Sequence, residues 1–97
     1  MLSTIPTELE NANEEFIDKQ ILRAGMIAEL DAVTLYEQMA ARAKNSKVKA
    51  ALLDIAREEK THFGEFQTLL LKLDEEQVNE LEHGKKEIEE LSSEIGD

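Results

Sequence analysis

Between Val48 and Leu73, large apolar side chains recur at alternating steps of four and three residues: Val48, Leu52, Ile55, Phe66, Leu69 and Leu73. Such steps hold one stripe of a helix in one direction. An earlier stretch repeats the rhythm with Leu22, Met26, Val33, Tyr36 and Ala40. The only proline is Pro6, so nothing after it breaks a helix outright. No run alternates β-branched residues with a period of two, and an all-α fold follows. The pattern predicts a single domain over residues 1–97, with an irregular start at 1–12 and a first helix over 13–44. Asn45-Ser46 is the turn, with Ser46 as the N-cap of a second helix over 47–73. Asp74 then caps an acidic C-terminal helix or tail over 74–97, and Gln77 takes the capping-box position three residues on. Gly84 is expected to end or bend this third helix, leaving only a weak pattern of Ile88, Leu91 and Ile95 beyond it.

Two long helices joined by a short turn make an antiparallel hairpin. A hairpin alone leaves apolar surface half covered. In the first helix Ile17, Ile21, Leu22, Met26, Ile27 and Leu30 are followed by Val33, Leu35, Tyr36 and Met39, and together they spread over more than one face. One partner helix cannot cover them all, so further subunits are expected on packing grounds alone.

Polar residues interrupt both stripes. In the second helix Glu59 and His62 fill the two middle positions of the Val48–Leu73 seam. In the first, Glu29 stands between Met26 and Val33 as the one charged member. A buried lone carboxylate costs on the order of several kcal/mol unless it is paired or bound to a cation. At mid-seam on two antiparallel helices, the three groups lie at similar depth and converge. Carboxylate oxygen and imidazole nitrogen suit iron, manganese or zinc, and the three-residue spacing of Glu59 and His62 puts both on one helix face. A di-iron carboxylate site in a four-helix bundle takes a Glu from each of two helices and a Glu-x-x-His from each of the other two. This chain offers one of each, which is half a site. A second copy about a two-fold axis would complete the bundle and the ligand set.

Glu-x-x-His by itself is weak, and the chain holds a second copy at Glu80 and His83. That copy lies in the acidic tail beside Gly84 with no apolar seam around it, and it reads as surface. For Glu59 and His62 the bland alternative is a buried polar pair that fixes helix register, which leaves Glu29 unexplained. Asp31, Glu58 and Glu65 read as a solvated face, although Asp31 is near enough to Glu29 to hold ions on their way in. Tyr36 reads first as core packing, with a hydroxyl that could bond a ligand carboxylate. Phe63, Phe66 and Leu69 to Leu71 are core or interface.

Composition narrows the function classes. The 97 residues carry 22 acids against 11 Lys and Arg, a net charge of −11, so there is no basic footprint for nucleic acid. Ten acids and two lysines in residues 74–97 give −8, whereas 1–73 carries only −3. The absence of cysteine rules out disulfides and thiolate metal ligands and fits a reducing interior. No stretch reaches the roughly 20 apolar residues of a membrane span. Met1 to Pro6 lacks the basic region and apolar run of a signal peptide. An intracellular, cytoplasmic protein is expected.

The segments Ala28-Glu29-Leu30-Asp31-Ala32-Val33-Thr34-Leu35-Tyr36 and Arg57-Glu58-Glu59-Lys60-Thr61-His62 resemble the encapsulated ferritin family. The resemblance covers about residues 20–73 and extends only loosely to the tail. It implies a two-helix protomer with a short C-terminal helix that forms a ferritin-like four-helix bundle on dimerisation. It further implies a ferroxidase that oxidises Fe(II) with dioxygen at an inter-subunit di-iron centre. The implied assembly is a decameric ring of five dimers inside an encapsulin nanocompartment that stores the oxidised iron. Matched residue by residue, the metal ligands are Glu29, Glu59 and His62 from each of two chains. Tyr36 falls on the near-site tyrosine, and Asp31 on a secondary, iron-uptake position. Members often have an acid where this chain has Ala28 and an aromatic where it has Leu35. No shell-targeting peptide is recognised after Glu94. Some archaeal relatives are fused directly to the shell protein, so the chain is also readable as the front part of such a fusion. The competing class is a non-enzymatic oligomerisation module in which Zn or Ca, ions able to take such a site in vitro, staples the dimer. A rubrerythrin-like peroxidase is weakened by the missing cysteine electron-transfer site.

Overall fold

The computed structural model describes residues 14–96, so the expected irregular start lies outside the described residues. Three helices follow in order: α1 Glu14–Arg42, α2 Ser46–Leu73 and α3 Glu75–Glu94, with no strand among the described residues. The all-α fold class read from the sequence is what is found.

α1 and α2 run antiparallel, as shown by the levels at which their side chains meet. Arg23 bonds Asp74, Glu29 lies beside His62, and Lys60 reaches Glu37. At about 1.5 Å per residue each helix is roughly 40 Å long.

The cap of α2 differs from expectation. Asn45, not Ser46, is the N-cap: its backbone is extended (φ −79°, ψ 127°), and its side-chain oxygen accepts from the N–H groups of Lys47 and Val48 at 2.9 and 3.1 Å. Asn and Ser are both good caps, and the carboxamide one position earlier leaves Ser46 already helical.

Asp74 closes α2 and opens α3, as the sequence suggested. Its Oδ1 accepts from the Gln77 N–H at 3.0 Å, and its Oδ2 accepts from Arg23 Nη2 at 2.8 Å. These bonds hold its carboxyl below the usual carboxylate range, with the Gln77 N–H as the leading cause and Arg23 and Lys19 assisting against burial. Because the folded value is depressed, the stabilisation is present above the ordinary value of 3.8 and fades as pH falls through the folded one. Asp74→Ala removes the cap and the link to α1 together. We predict a drop in Tm of about 5 °C near neutral pH, shrinking below the ordinary carboxylate range, as thermal melts by circular dichroism would show.

Gly84 neither ends nor bends the third helix into separate elements, since α3 continues through it to Glu94. One interior glycine costs a helix about 0.5–1 kcal/mol relative to alanine, and the Glu, Leu and Lys residues on either side outweigh that. The chain leaves the helix at Ile95 and Gly96, where Gly96 takes a positive φ of 76°.

The hairpin core is thin. Leu22, Val33 and Ala40 of α1 and Ala56 and Leu70 of α2 are buried, and no large side chain is fully enclosed. The Val48–Leu73 seam is therefore only partly the inner contact of the hairpin, with Leu52, Ile55, Glu59 and Phe66 half-buried. The inward line of α2 runs one residue further on, through Ala56, half-buried Phe63 and Leu70. The ends of the seam lie at the edge of the hairpin, with Val48, Leu69 and Leu73 about half exposed. On α1, Ile21, Leu30, Leu35 and Met39 are also exposed, as expected of a helix apolar on more than one face. α3 leaves the hairpin at Asp74 and buries none of its residues. The result is flat and elbow-shaped, with extents of 47 × 46 × 21 Å. No helix among the described residues is long and apolar enough to cross a membrane.

Candidate metal centre

Glu29 lies near the midpoint of α1, and Glu59 and His62 near the midpoint of α2. The antiparallel register brings all three to one level. One ligand atom from each lies within 4.8 Å of the others. His62 Nδ1 is 3.4 Å from Glu59 Oε2 and 3.7 Å from Glu29 Oε2. The carboxylates are tucked in, at 17% and 19% side-chain exposure, while His62 is 46% exposed on the open side of the hairpin.

Glu29 Oε2 is buried and has no hydrogen-bond partner. Such an atom gives up water with only the His62 imidazole, 3.7 Å away, to offset the loss. A divalent cation among these donors would satisfy it, and two carboxylates with an imidazole form a donor set suited to iron, manganese or zinc. The residues present fit a metal ion.

The electrostatics agree with this fit. Burial, and then the neighbouring Glu59 carboxylate, raises the Glu29 carboxyl above its ordinary value, with His62 pulling the other way. Glu59 is lowered, first by the hydrogen bond it takes from the Glu29 carboxyl and then by His62, while burial opposes. His62 is raised above 6.5, chiefly by its bond to Glu59, with Glu29 and Glu65 assisting against burial. Without a metal ion, Glu29 and His62 thus keep their protons to higher pH than the free side chains do, and a metal competes with those protons. Metal affinity should rise with pH and start to fall while still above 6.5 on acidification. We expect about tenfold loss per pH unit for each proton retained, measurable by Zn²⁺ titration between mildly acidic and mildly alkaline buffer.

The remaining residues of interest are more peripheral. Asp31 is half-buried on α1 and lies outside the three-ligand group. Tyr36, two turns beyond Glu29, is half-buried. Ala28 is half-buried and Leu35 is exposed. Glu58 and Glu65 are on the solvated face. The Glu80–His83 pair lies 3.3 Å apart with both side chains 62% exposed, on the surface as its context suggested. Two features had no evident signature in the sequence. One is the Arg23–Asp74 link, and the other is Gly25, against which Phe66 packs.

The sequence profile of the rubrerythrin family matches residues 20–95. The chain belongs to the rubrerythrin family. It is 52% identical, over 95 residues, to a ferritin-like–encapsulin shell fusion protein of Pyrococcus furiosus. The match takes in 95% of this chain but 27% of that protein, so the chain spans about a quarter of its relative's length. The crystal structure of the encapsulated ferritin domain from Pyrococcus furiosus superposes with a TM-score of 0.81 at 48% identity, covering 96% of this chain and 97% of that one. The resemblance to encapsulated ferritin is therefore upheld in both sequence and fold, and it extends over α3 as well as the hairpin.

Proposed function

We propose that this rubrerythrin-family chain is a ferroxidase half-site, completed by a second copy of itself, with Glu29, Glu59 and His62 of each chain as the ligands. The observation that carries the proposal is the buried Oε2 of Glu29, without a hydrogen-bond partner, beside Glu59 and His62, with His62 facing the open side of the hairpin. Three donors leave a metal ion under-coordinated. The open edge, lined by half-exposed Val48, Leu69 and Leu73, gives a second hairpin a surface to close against. Pairing about a two-fold axis through the mid-hairpin level makes a ferritin-like four-helix bundle and brings four Glu and two His together.

Iron is the substrate. Two Fe(II) ions each give one electron to dioxygen, which takes up two protons and leaves as hydrogen peroxide, and the Fe(III) formed leaves to be mineralised. The protein would fix ligand geometry, and its carboxylates, Glu59 of each chain among them, would offset the charge gained on oxidation. Asp31 would act on the way in, and Tyr36 beside the ligands. A hairpin encloses no storage cavity. The fusion of the Pyrococcus relative to a shell protein supports delivery of iron into an encapsulin nanocompartment in the cytoplasm. There the protein would stand as a ring of five dimers.

Anaerobic addition of Fe²⁺ followed by air, tracking oxygen uptake and Fe(III) absorbance, tests the proposal. Oxidation well above the buffer rate is the expected result. Binding of Fe²⁺ without faster oxidation would instead favour a structural ion, Zn or Ca, stapling a non-enzymatic dimer.

A further inference from the structure

Gly25 is the one glycine among those described that has a neighbour where its side chain would be. A Cβ built there would lie 3.0 Å from Cε1 and Cζ of Phe66 and 3.1 Å from Cδ1, whereas at Gly64, Gly84 and Gly96 nothing comes within 4 Å. Carbon–carbon contact is comfortable at about 3.5–4.0 Å, and a phenyl ring held between two helices is not the free end of a flexible chain. Glycine is also the poorest helix former after proline, so its place inside α1 has a cost that the close approach explains.

The position of this contact gives it a consequence. Gly25 is one turn before Glu29 on α1, and Phe66 is one turn after His62 on α2. Since the helices are antiparallel, the ring and the bare backbone meet one turn from the ligands, on the side toward α3. We propose that Gly25 is a positioning residue: by letting the Phe66 ring rest directly on the α1 backbone, it sets the helix separation at which Glu29 reaches Glu59 and His62. The ring also closes the ligand cluster on that side with apolar surface, which strengthens the electrostatics within it. A methyl group at position 25 drives the ring outward and either spreads the helices or turns Phe66 into the face that meets the second copy. This inference rests on the metal site proposed above.

Gly25→Ala, Phe66→Leu and the double variant test the idea, with Zn²⁺ and anaerobic Fe²⁺ affinity, thermal stability, and the His62 ring signals in NMR of the metal-free protein as readouts. Gly25→Ala should lose about 10- to 100-fold in metal affinity, the range seen when support for metal ligands is removed. Its Tm should fall by only a few degrees, because the helix gain from alanine offsets part of the overpacking cost. The His62 signals should shift even without metal. Adding Phe66→Leu should restore most of the affinity and return the His62 signals, because the smaller side chain makes room for the methyl. Wild-type affinity and unchanged His62 signals in Gly25→Ala would overturn the proposal, as would a double variant no better than Gly25→Ala. If the wild type bound neither ion, the site assignment would fall. The metal-free His62 signals would then decide the positioning claim alone: a shift in Gly25→Ala reversed in the double variant supports it, and no shift overturns it.

Discussion

Glu29→Ala is expected to abolish iron oxidation while leaving the fold intact. In the proposed site Glu29 is the one ligand assigned to α1, and in a two-fold pair its loss would strip one carboxylate from each side. What remains on each chain is Glu59 and His62, one turn apart on α2, with nothing facing them from α1. The rate should fall by more than about 100-fold, some 3 kcal/mol of lost transition-state stabilisation. Stability should change little. In the metal-free protein Glu29 has a buried oxygen without a hydrogen-bond partner and a carboxyl whose charged form is disfavoured by burial and by Glu59, set against its bond to Glu59 and the nearby His62. Replacing it removes the cost and the contacts together, so Tm should stay within a few degrees of the wild type, the usual relation between a site and the fold that carries it. An oxygen electrode and a thermal melt on the same sample check the pair of outcomes. Retention of the wild-type rate would remove Glu29 from the site.

Leu69→Asp should be almost as damaging to activity, though it touches no ligand. Leu69 is 51% exposed on the seam that borders the ligand cluster. In a single hairpin a carboxylate there stays hydrated and costs little. Once two hairpins close on that seam it is buried without a partner, at a cost of about 3 kcal/mol or more. Pairing should weaken by over 100-fold, and oxidation with it, while far-UV circular dichroism still reports the helices. Sedimentation and oxygen uptake on one preparation tell the two effects apart. A Leu69→Asp chain that sediments as a single copy yet oxidises iron at the wild-type rate would show that the site needs no partner.

Much of this architecture was legible in the sequence because helical periodicity is a geometric constraint. Two long apolar stripes with one short break between them leave few alternatives to a hairpin, and Glu29, Glu59 and His62 stood out as the positions that break the stripes. The structure places those three within 4.8 Å of one another. Depth was harder to read. A four-three rhythm shows which residues share a face but not whether that face is the inner contact of the hairpin or its edge. The buried line at Ala56 and Leu70 is offset by a single residue from the seam. Small differences in propensity are also hard to read from sequence. Asn45 and Ser46 are nearly equal as caps, and at Gly84 the helix formers on either side outweigh the penalty for one glycine. The remaining features depend on contacts across the chain. Arg23 meets Asp74 over 51 positions, and Phe66 rests on Gly25 only because the helices are antiparallel in this register. Local pattern carries no trace of either.

The half-site is the central claim, and native mass spectrometry after anaerobic Fe²⁺ or Zn²⁺ loading tests it most directly. Metal should be retained only by species with an even number of chains, at two ions per pair, and lost when pairs are dissociated. Single chains that keep one ion as tightly as pairs do would contradict it.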